Sequence, residues 1–190
     1  MILDPFNQLP RQYLRAAAFP KGGLLFAQGD QSLGPWVVLN GGVRLLRHGE
    51  TGLSVCLHHA KAGDTLAEAS LFSDTYHCDA EAQPGTRAVN IARHAVLARM
   101  AEDASFARSL AALLAQQVHA GRRRVAFQRI RRADERVLAA MIELGPPRRI
   151  TDFASEVGLT PEATYRALAA LVRQGRVQKL GRGEYALAGV

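Results

Sequence analysis

The run ITDFASEVGLTPEATYRALAALVRQGRVQKLGRGEYAL, Ile150 to Leu187, constrains the fold of this chain more than any other part of it. Phe153, Ala154 and Val157 fall on one face of a short helix, and the small Ala154 lets a second helix cross closely. Gly158 stands where the chain has to turn, at a helix C-terminus that favours a left-handed residue. Leu159 fills the space between the two helices. Thr160 caps a second helix, with Pro161 at its first position, where a missing N–H costs nothing. Thr164, Leu168, Leu171 and Val172 form the buried face of that helix, and Glu162, Tyr165, Arg166, Ala169 and Arg173 the opposite one. Gly175 ends it. Arg176 to Leu187 then reads as a hairpin with Gly181-Arg182-Gly183 at its tip.

A helix pair followed by a hairpin, with arginines on the outer helix face, is the pattern of a winged helix-turn-helix that enters the major groove of DNA. Arg166 can donate two hydrogen bonds to guanine O6 and N7, and Glu162 can accept from cytosine N4. Tyr165 can reach a phosphate or a thymine methyl. Lys179 and Arg182, on the hairpin, are placed to touch the backbone. The alternative is a helical pair with ordinary surface charges. Charge placement supports the first reading. Residues 1–120 hold ten basic and ten acidic side chains, whereas residues 121–190 hold fourteen basic and seven acidic ones, so the whole net charge of +7 sits in the last third. That asymmetry suits phosphate binding, in which each neutralised phosphate releases condensed counterions.

Upstream, residues 19–92 carry turn signals such as Gly29-Asp30, Gly34-Pro35, Gly41-Gly42, Gly63-Asp64 and Pro84-Gly85. Strand-like runs lie between them: Trp36 to Leu39, Val43 to Leu46, Leu53 to His59, and Ala88 to Ile91. These predict a sandwich, roll or barrel. From residue 93 Gly and Pro almost vanish. Phe106, Leu110, Leu113, Leu114, Gln117, Val118, Gly121 and Val125 recur at spacings of three and four, which predicts a helix from about Asp103 to Ile130, about 40 Å long. A stripe that long calls for a partner helix, so a dimer is expected; a helix lying on its own domain is the alternative. Ala133 to Leu144 reads as a further helix stopped by Gly145-Pro146-Pro147. The fold class is therefore α+β, in three segments: a β-roll sensor over 1–102, a dimerisation helix over 103–131 and a winged helix-turn-helix over 132–190.

This order resembles the family of the cyclic-AMP receptor protein and the fumarate–nitrate reduction regulator (Crp/Fnr). The resemblance is carried by Gly29-Asp30, Leu39-Asn40-Gly41-Gly42-Val43, Gly63-Asp64, Glu68 and Leu71-Phe72, and by Gly158, Thr160, Glu162 and Arg166 in the C-terminal part. It implies a cyclic-nucleotide-binding-like jelly roll and a homodimeric transcription regulator on pseudo-palindromic DNA. Half-sites of TGA type would lie about one helical turn apart. RNA polymerase would be a partner if the protein activates. The family's nucleotide-binding version has Gly-Glu and then Arg-Ser to hold the cyclic phosphate. Here Ala67 precedes Glu68, and the Arg-Ser position falls near Tyr76-His77 or His77-Cys78. Neither offers a guanidinium, so cyclic AMP is not expected to bind in the usual way. Pro161 replaces the family's other base-reading arginine, which predicts a different half-site at that base. An effector pocket would be lined by Glu68, Tyr76, His77 and Cys78.

Two cysteines, Cys56 and Cys78, exclude a disulfide scaffold and a four-cysteine [4Fe–4S] site. Cys56 with His58, or His77 with Cys78, can supply soft ligands to copper, zinc or haem, or respond to oxidation. Alternation puts Cys56 and His58 on one strand face and Val55, Leu57 and His59 on the other, whereas the adjacent His77 and Cys78 point to opposite faces. An enzyme is not expected: no phosphate loop, nucleophile elbow or HExxH occurs. No apolar run approaches membrane-spanning length and the first residues do not form a secretory signal, so a cytoplasmic location is expected.

Overall fold

The computed structural model describes residues 4–49 and 52–189; the outer ends of the first and third predicted segments, residues 1–3 and 190, lie outside them. The chain divides into two compact units, Met1–Leu114 and Ala115–Val190. Among the described residues the first holds eight strands: β1 (Leu14–Phe19), β2 (Leu24–Phe26), β3 (Trp36–Asn40), β4 (Gly42–His48), β5 (Ser54–Lys61), β6 (Thr65–Leu66), β7 (Asp79–Ala82) and β8 (Thr86–Ile91). They form two antiparallel four-stranded sheets with orders β1-β8-β3-β6 and β2-β7-β4-β5. Phe26, Trp36, Val38, Val43, Leu66, Tyr76, Ala80 and Ala88, from both sheets, make one buried cluster. That is the interior of a β-roll.

Gly41, at the β3–β4 turn, has φ +71°, and a Cβ there would lie 2.8 Å from the backbone of Thr86. Only glycine allows the turn to pass so close to β8. In β5 the register slips: Leu45 faces His58, but Leu46 faces Cys56, so Leu57 is an extra residue in a bulge. This corrects the simple alternation expected for Leu53 to His59. Cross-strand partners share a face, so His58 goes with Leu45 and Cys56 with Leu46, on opposite faces of the sheet.

The other face of β3 and β8 is covered by helices. α1 (Arg93–Glu102) was not expected, because its apolar positions are few. α2 runs from Ala104 to Gln128. Between them Asp103 accepts hydrogen bonds from the backbone N–H groups of Ser105 at 2.8 Å and Phe106 at 3.1 Å. Those two donors, Phe106 first, hold its carboxyl below the usual range. This is the N-cap that starts the long helix.

The apolar stripe of α2 splits. Phe106 and Leu110 are fully buried with Val37, Leu71, Val89, Ile91 and Val96, and Leu113 and Leu114 pack against the same cluster. Burying each large side chain stabilises the unit by about 1.5–3 kcal/mol. The expectation that all eight stripe residues face a partner helix is therefore corrected: Phe106 and Leu110 belong to the roll's own core. Beyond Leu114 the stripe opens. Val118 and Val125 are about half exposed, and with Gly121, Arg122, Ala126 and Arg129 they line a shallow groove; Gln117 is half-buried.

The second unit adds α3 (Ala133–Leu144), α4 (Ile150–Val157), α5 (Pro161–Arg173) and the hairpin β9 (Val177–Gly181) with β10 (Glu184–Leu187). Phe127, Val137, Met141, Phe153, Val157, Leu168, Leu171, Val177 and Tyr185 form its core. Every helix and the hairpin contribute, so the unit has a hydrophobic centre of its own.

Candidate nucleic-acid interface

The turn between α4 and α5 follows the chemistry of its residues. Gly158 takes the left-handed conformation with φ +64°, and the Leu159 N–H returns to the Ala154 carbonyl at 2.9 Å, closing the helix end. The Thr160 hydroxyl accepts from the Ala163 N–H at 3.1 Å, and Pro161 opens α5. Thr164, Ala167, Leu168 and Leu171 are buried. Thr160, Glu162, Tyr165, Arg166, Ala169 and Arg173 are exposed and Pro161 half-exposed, so the face read from the sequence is a continuous exposed surface. Hydrogen bonds from its own backbone N–H and from the Thr160 hydroxyl, with the Arg166 charge nearby, hold the Glu162 carboxyl below its ordinary range. An ionised carboxylate and a guanidinium thus stand one turn apart on this face.

In the hairpin Gly181 pairs with Glu184, so the tip is Arg182-Gly183 alone, with Gly183 at φ +80°. Leu180 is bulged, since Lys179 pairs directly with Tyr185. Lys179 and Arg182 are exposed. Tyr185 is buried, and both burial and the proximity of Tyr165 push its phenol upward.

Several residues of this unit escaped sequence reasoning. Arg148 and Arg149 are exposed directly before α4; the pair was visible as a basic doublet. Asp134 links α3 to the end of α5: it accepts from Arg132 at 2.7 and 3.2 Å and from Gln174 at 3.2 Å, and these partners, Arg132 first, pull its carboxyl far below the usual range. Arg123 and Arg124 of α2 lie 3.8 and 3.7 Å from the Glu156 carboxylate on α4. Long-range pairs of this kind leave no local signal.

In the roll, the four residues assigned to an effector pocket do not share one role. Tyr76 is buried and stacked on Phe26, with ring centres 3.8 Å apart. Its hydroxyl donates to the Gly34 carbonyl at 2.8 Å and accepts from Trp36 Nε1 at 3.3 Å. It is part of the packed interior of the roll. Glu68 is buried and accepts from the Thr65 hydroxyl. His77 is exposed, and Cys78 is half-buried, its thiol pushed up by burial and by Asp79. A raised thiol pKa keeps the sulfur protonated and slow to react. Cys56 and His58, offered as a ligand pair, stand on opposite faces for the reason given above. Among the described residues no three His, Cys, Asp or Glu side chains gather as metal ligands. Ala67, where the family pattern has glycine, sits at φ +61°, the left-handed region.

The cyclic nucleotide-binding domain family matches residues 17–103. FixK2 from Bradyrhizobium japonicum superposes with a TM-score of 0.64 at 22% identity, over 92% of each chain. The catabolite activator protein of Thermus thermophilus gives 0.54 at 26% identity, over 97% of this chain and 90% of its own. A c-di-GMP responsive global regulator of Xanthomonas campestris, CLP, gives 0.59 at 16% identity, over 94% and 96%. A further neighbour from Thermus thermophilus is a transcriptional regulator of the CRP/FNR family. The fold is that of the Crp/Fnr regulators. No curated protein sequence matches the chain. On this Crp/Fnr fold the positions of Glu162 and Arg166 fall on an exposed helix face. Among the described residues no helix is long and apolar enough to cross a membrane.

Proposed function

We propose that this chain is a homodimeric, sequence-specific DNA-binding transcription regulator. In this reading α4, its turn, α5 and the β9–β10 hairpin act as a winged helix-turn-helix. The observation that carries it is the exposed face of α5, with Glu162 and Arg166 one turn apart on a helix capped by Thr160. Arg166 reads guanine and Glu162 accepts from cytosine, while Tyr165, Ala169 and Arg173 shape the rest of the contact. Pro161 gives no base contact, so the half-site is TGA-like but differs from that of the cyclic-AMP receptor protein. Lys179 and Arg182 from the hairpin, and Arg148 and Arg149 before α4, hold the phosphate backbone.

Dimerisation is assigned to the open half of α2. Val118, Gly121 and Val125 are separated by three and four residues and leave an apolar strip in water. A second copy of the same helix covers that strip and brings two α5 helices to a pseudo-palindrome. RNA polymerase would be the further partner of an activator. Cyclic AMP is not the effector in the usual manner, because Ala67 precedes Glu68 where the family has glycine, and neither Tyr76-His77 nor His77-Cys78 offers a guanidinium for the cyclic phosphate.

The test is selection of duplexes from a random-sequence library by the purified protein. The expected outcome is a two-fold symmetric motif whose binding falls steeply with salt. Enrichment of no sequence would overturn the proposal.

A further inference from the structure

Arg136, on α3, bridges the ends of two other helices. Its Nε and Nη2 donate to the Ile130 carbonyl at 3.0 and 2.8 Å, just past the end of α2. Its Nη1 donates to the Val157 carbonyl at 3.2 Å, at the end of α4. The last carbonyls of a helix have no partner within the helix and carry its partial negative charge. A guanidinium is suited to such a place, because its donors form a rigid, planar fork and its charge is permanent. Two further contacts converge on the same junction. Gln128, the last residue of α2, lies against the turn of the helix pair so closely that a Cβ on Gly158 would be 2.8 Å from its Nε2. Glu156, two residues before that turn, lies between Arg123 and Arg124 of α2 at 3.8 and 3.7 Å. The end of α2, the start of α3 and the end of α4 thus meet at one guanidinium. α5 follows α4 directly through the closed turn at Gly158, so its direction is fixed with that of α4.

From this we infer that Arg136 is a positioning residue for DNA recognition. It touches no base; it sets the angle at which α5 leaves the second half of α2, and so the separation of the two α5 helices in a dimer. The inference rests on the reading of the chain as a dimeric DNA-binding regulator. It assigns to Arg136 the choice of half-site spacing, not the reading of bases. A change of one base pair between half-sites turns one of them by about 35° relative to the other. A stiff junction penalises that change and a loose one tolerates it.

The experiment uses the full chain and the palindrome selected by the wild-type protein. Affinity is measured on that duplex, on versions with one base pair added or removed between half-sites, and on a single half-site. For the wild type, a spacing change is expected to cost about tenfold or more. For Arg136→Ala the optimal palindrome weakens, the three spacings bind within about threefold of one another, and affinity for the single half-site is unchanged. A purely structural role would weaken the half-site as well and leave the spacing preference intact. Arg136→Lys keeps the charge but lacks the fork, and should also lose spacing preference; it serves if Arg136→Ala does not fold. Wild-type spacing preference in either folded variant overturns the inference. Failure of the wild type to select any duplex would instead overturn the proposed function.

Discussion

Thr160 caps the helix that carries Glu162 and helps keep that carboxyl ionised. The Thr160 hydroxyl accepts from the Ala163 N–H at 3.1 Å, and together with the backbone it holds the Glu162 carboxyl below its ordinary range. One side chain therefore serves helix stability and the charge of a proposed base-reading group. Thr160→Ala should destabilise the C-terminal unit by about 1 kcal/mol, measured by urea unfolding. It should also weaken discrimination at the base pair read by Glu162. Stability loss with unchanged base preference would separate the two roles.

Arg166→Ala should cost about 1–3 kcal/mol in DNA affinity and relax specificity at one base pair. Arg148→Ala should weaken binding to all sequences alike and make the salt slope shallower by about one phosphate contact. Fluorescence anisotropy across a salt series distinguishes the two outcomes. If Arg166→Ala keeps the wild-type base preference, the assigned face of α5 is wrong.

The exposed strip of α2 makes a prediction about assembly. Val118→Asp and Val125→Asp place a carboxylate where a second copy is proposed to pack, and an unpaired buried charge is costly. Each variant should run as a monomer in light scattering at concentrations where the wild type is a dimer. Phe106→Ala acts differently: it opens a cavity in the roll, costs about 3–5 kcal/mol of stability, and reports on folding rather than on pairing.

Asp134 predicts a pH dependence. Its carboxyl is lowered in the folded chain by Arg132 and then Gln174. A lowered folded value means that its stabilisation is present above the unfolded value, near 3.9, and is lost as pH falls through the folded one. Asp134→Asn should therefore lower the melting temperature at pH 7, and the difference from wild type should shrink below about pH 4. A difference that stays constant down to pH 2 would contradict this linkage.

Ala67 carries local strain. Its φ of +61° costs a non-glycine residue about 1–2 kcal/mol, and the extra unfolded-state freedom of glycine returns about half of that. Ala67→Gly should stabilise the roll by about 0.5–1 kcal/mol in thermal unfolding.

How far the sequence could be read depended on whether a signal was local. The turn at Gly158, the Thr160-Pro161 cap and the α5 faces were all legible, because capping and period act within a few residues. Strands with turn glycines beside them, β3, β4, β5 and β8, were legible for the same reason. β1, with sequence LRAAAF, was not, since three alanines show no alternation. The bulge at Leu57 was equally hidden, because an extra residue is defined by the partner strand, and it separated Cys56 from His58. The α2 stripe was read as one surface although it is two. Its period is the same whether a residue packs on the roll, as Phe106 does, or stays open, as Val118 does. Arg136 was invisible for a further reason: carbonyl partners at Ile130 and Val157 depend on how three helix ends meet.

The central claim is that the exposed face of α5 reads DNA as part of a two-fold pair. The most direct measurement is enrichment of random-sequence duplexes by the wild-type protein, with the bound pool sequenced. The account predicts inverted repeats with their centres about one helical turn apart, lost when Glu162 and Arg166 are both replaced by alanine. A pool without sequence preference, or the same motif recovered by that double variant, would contradict it.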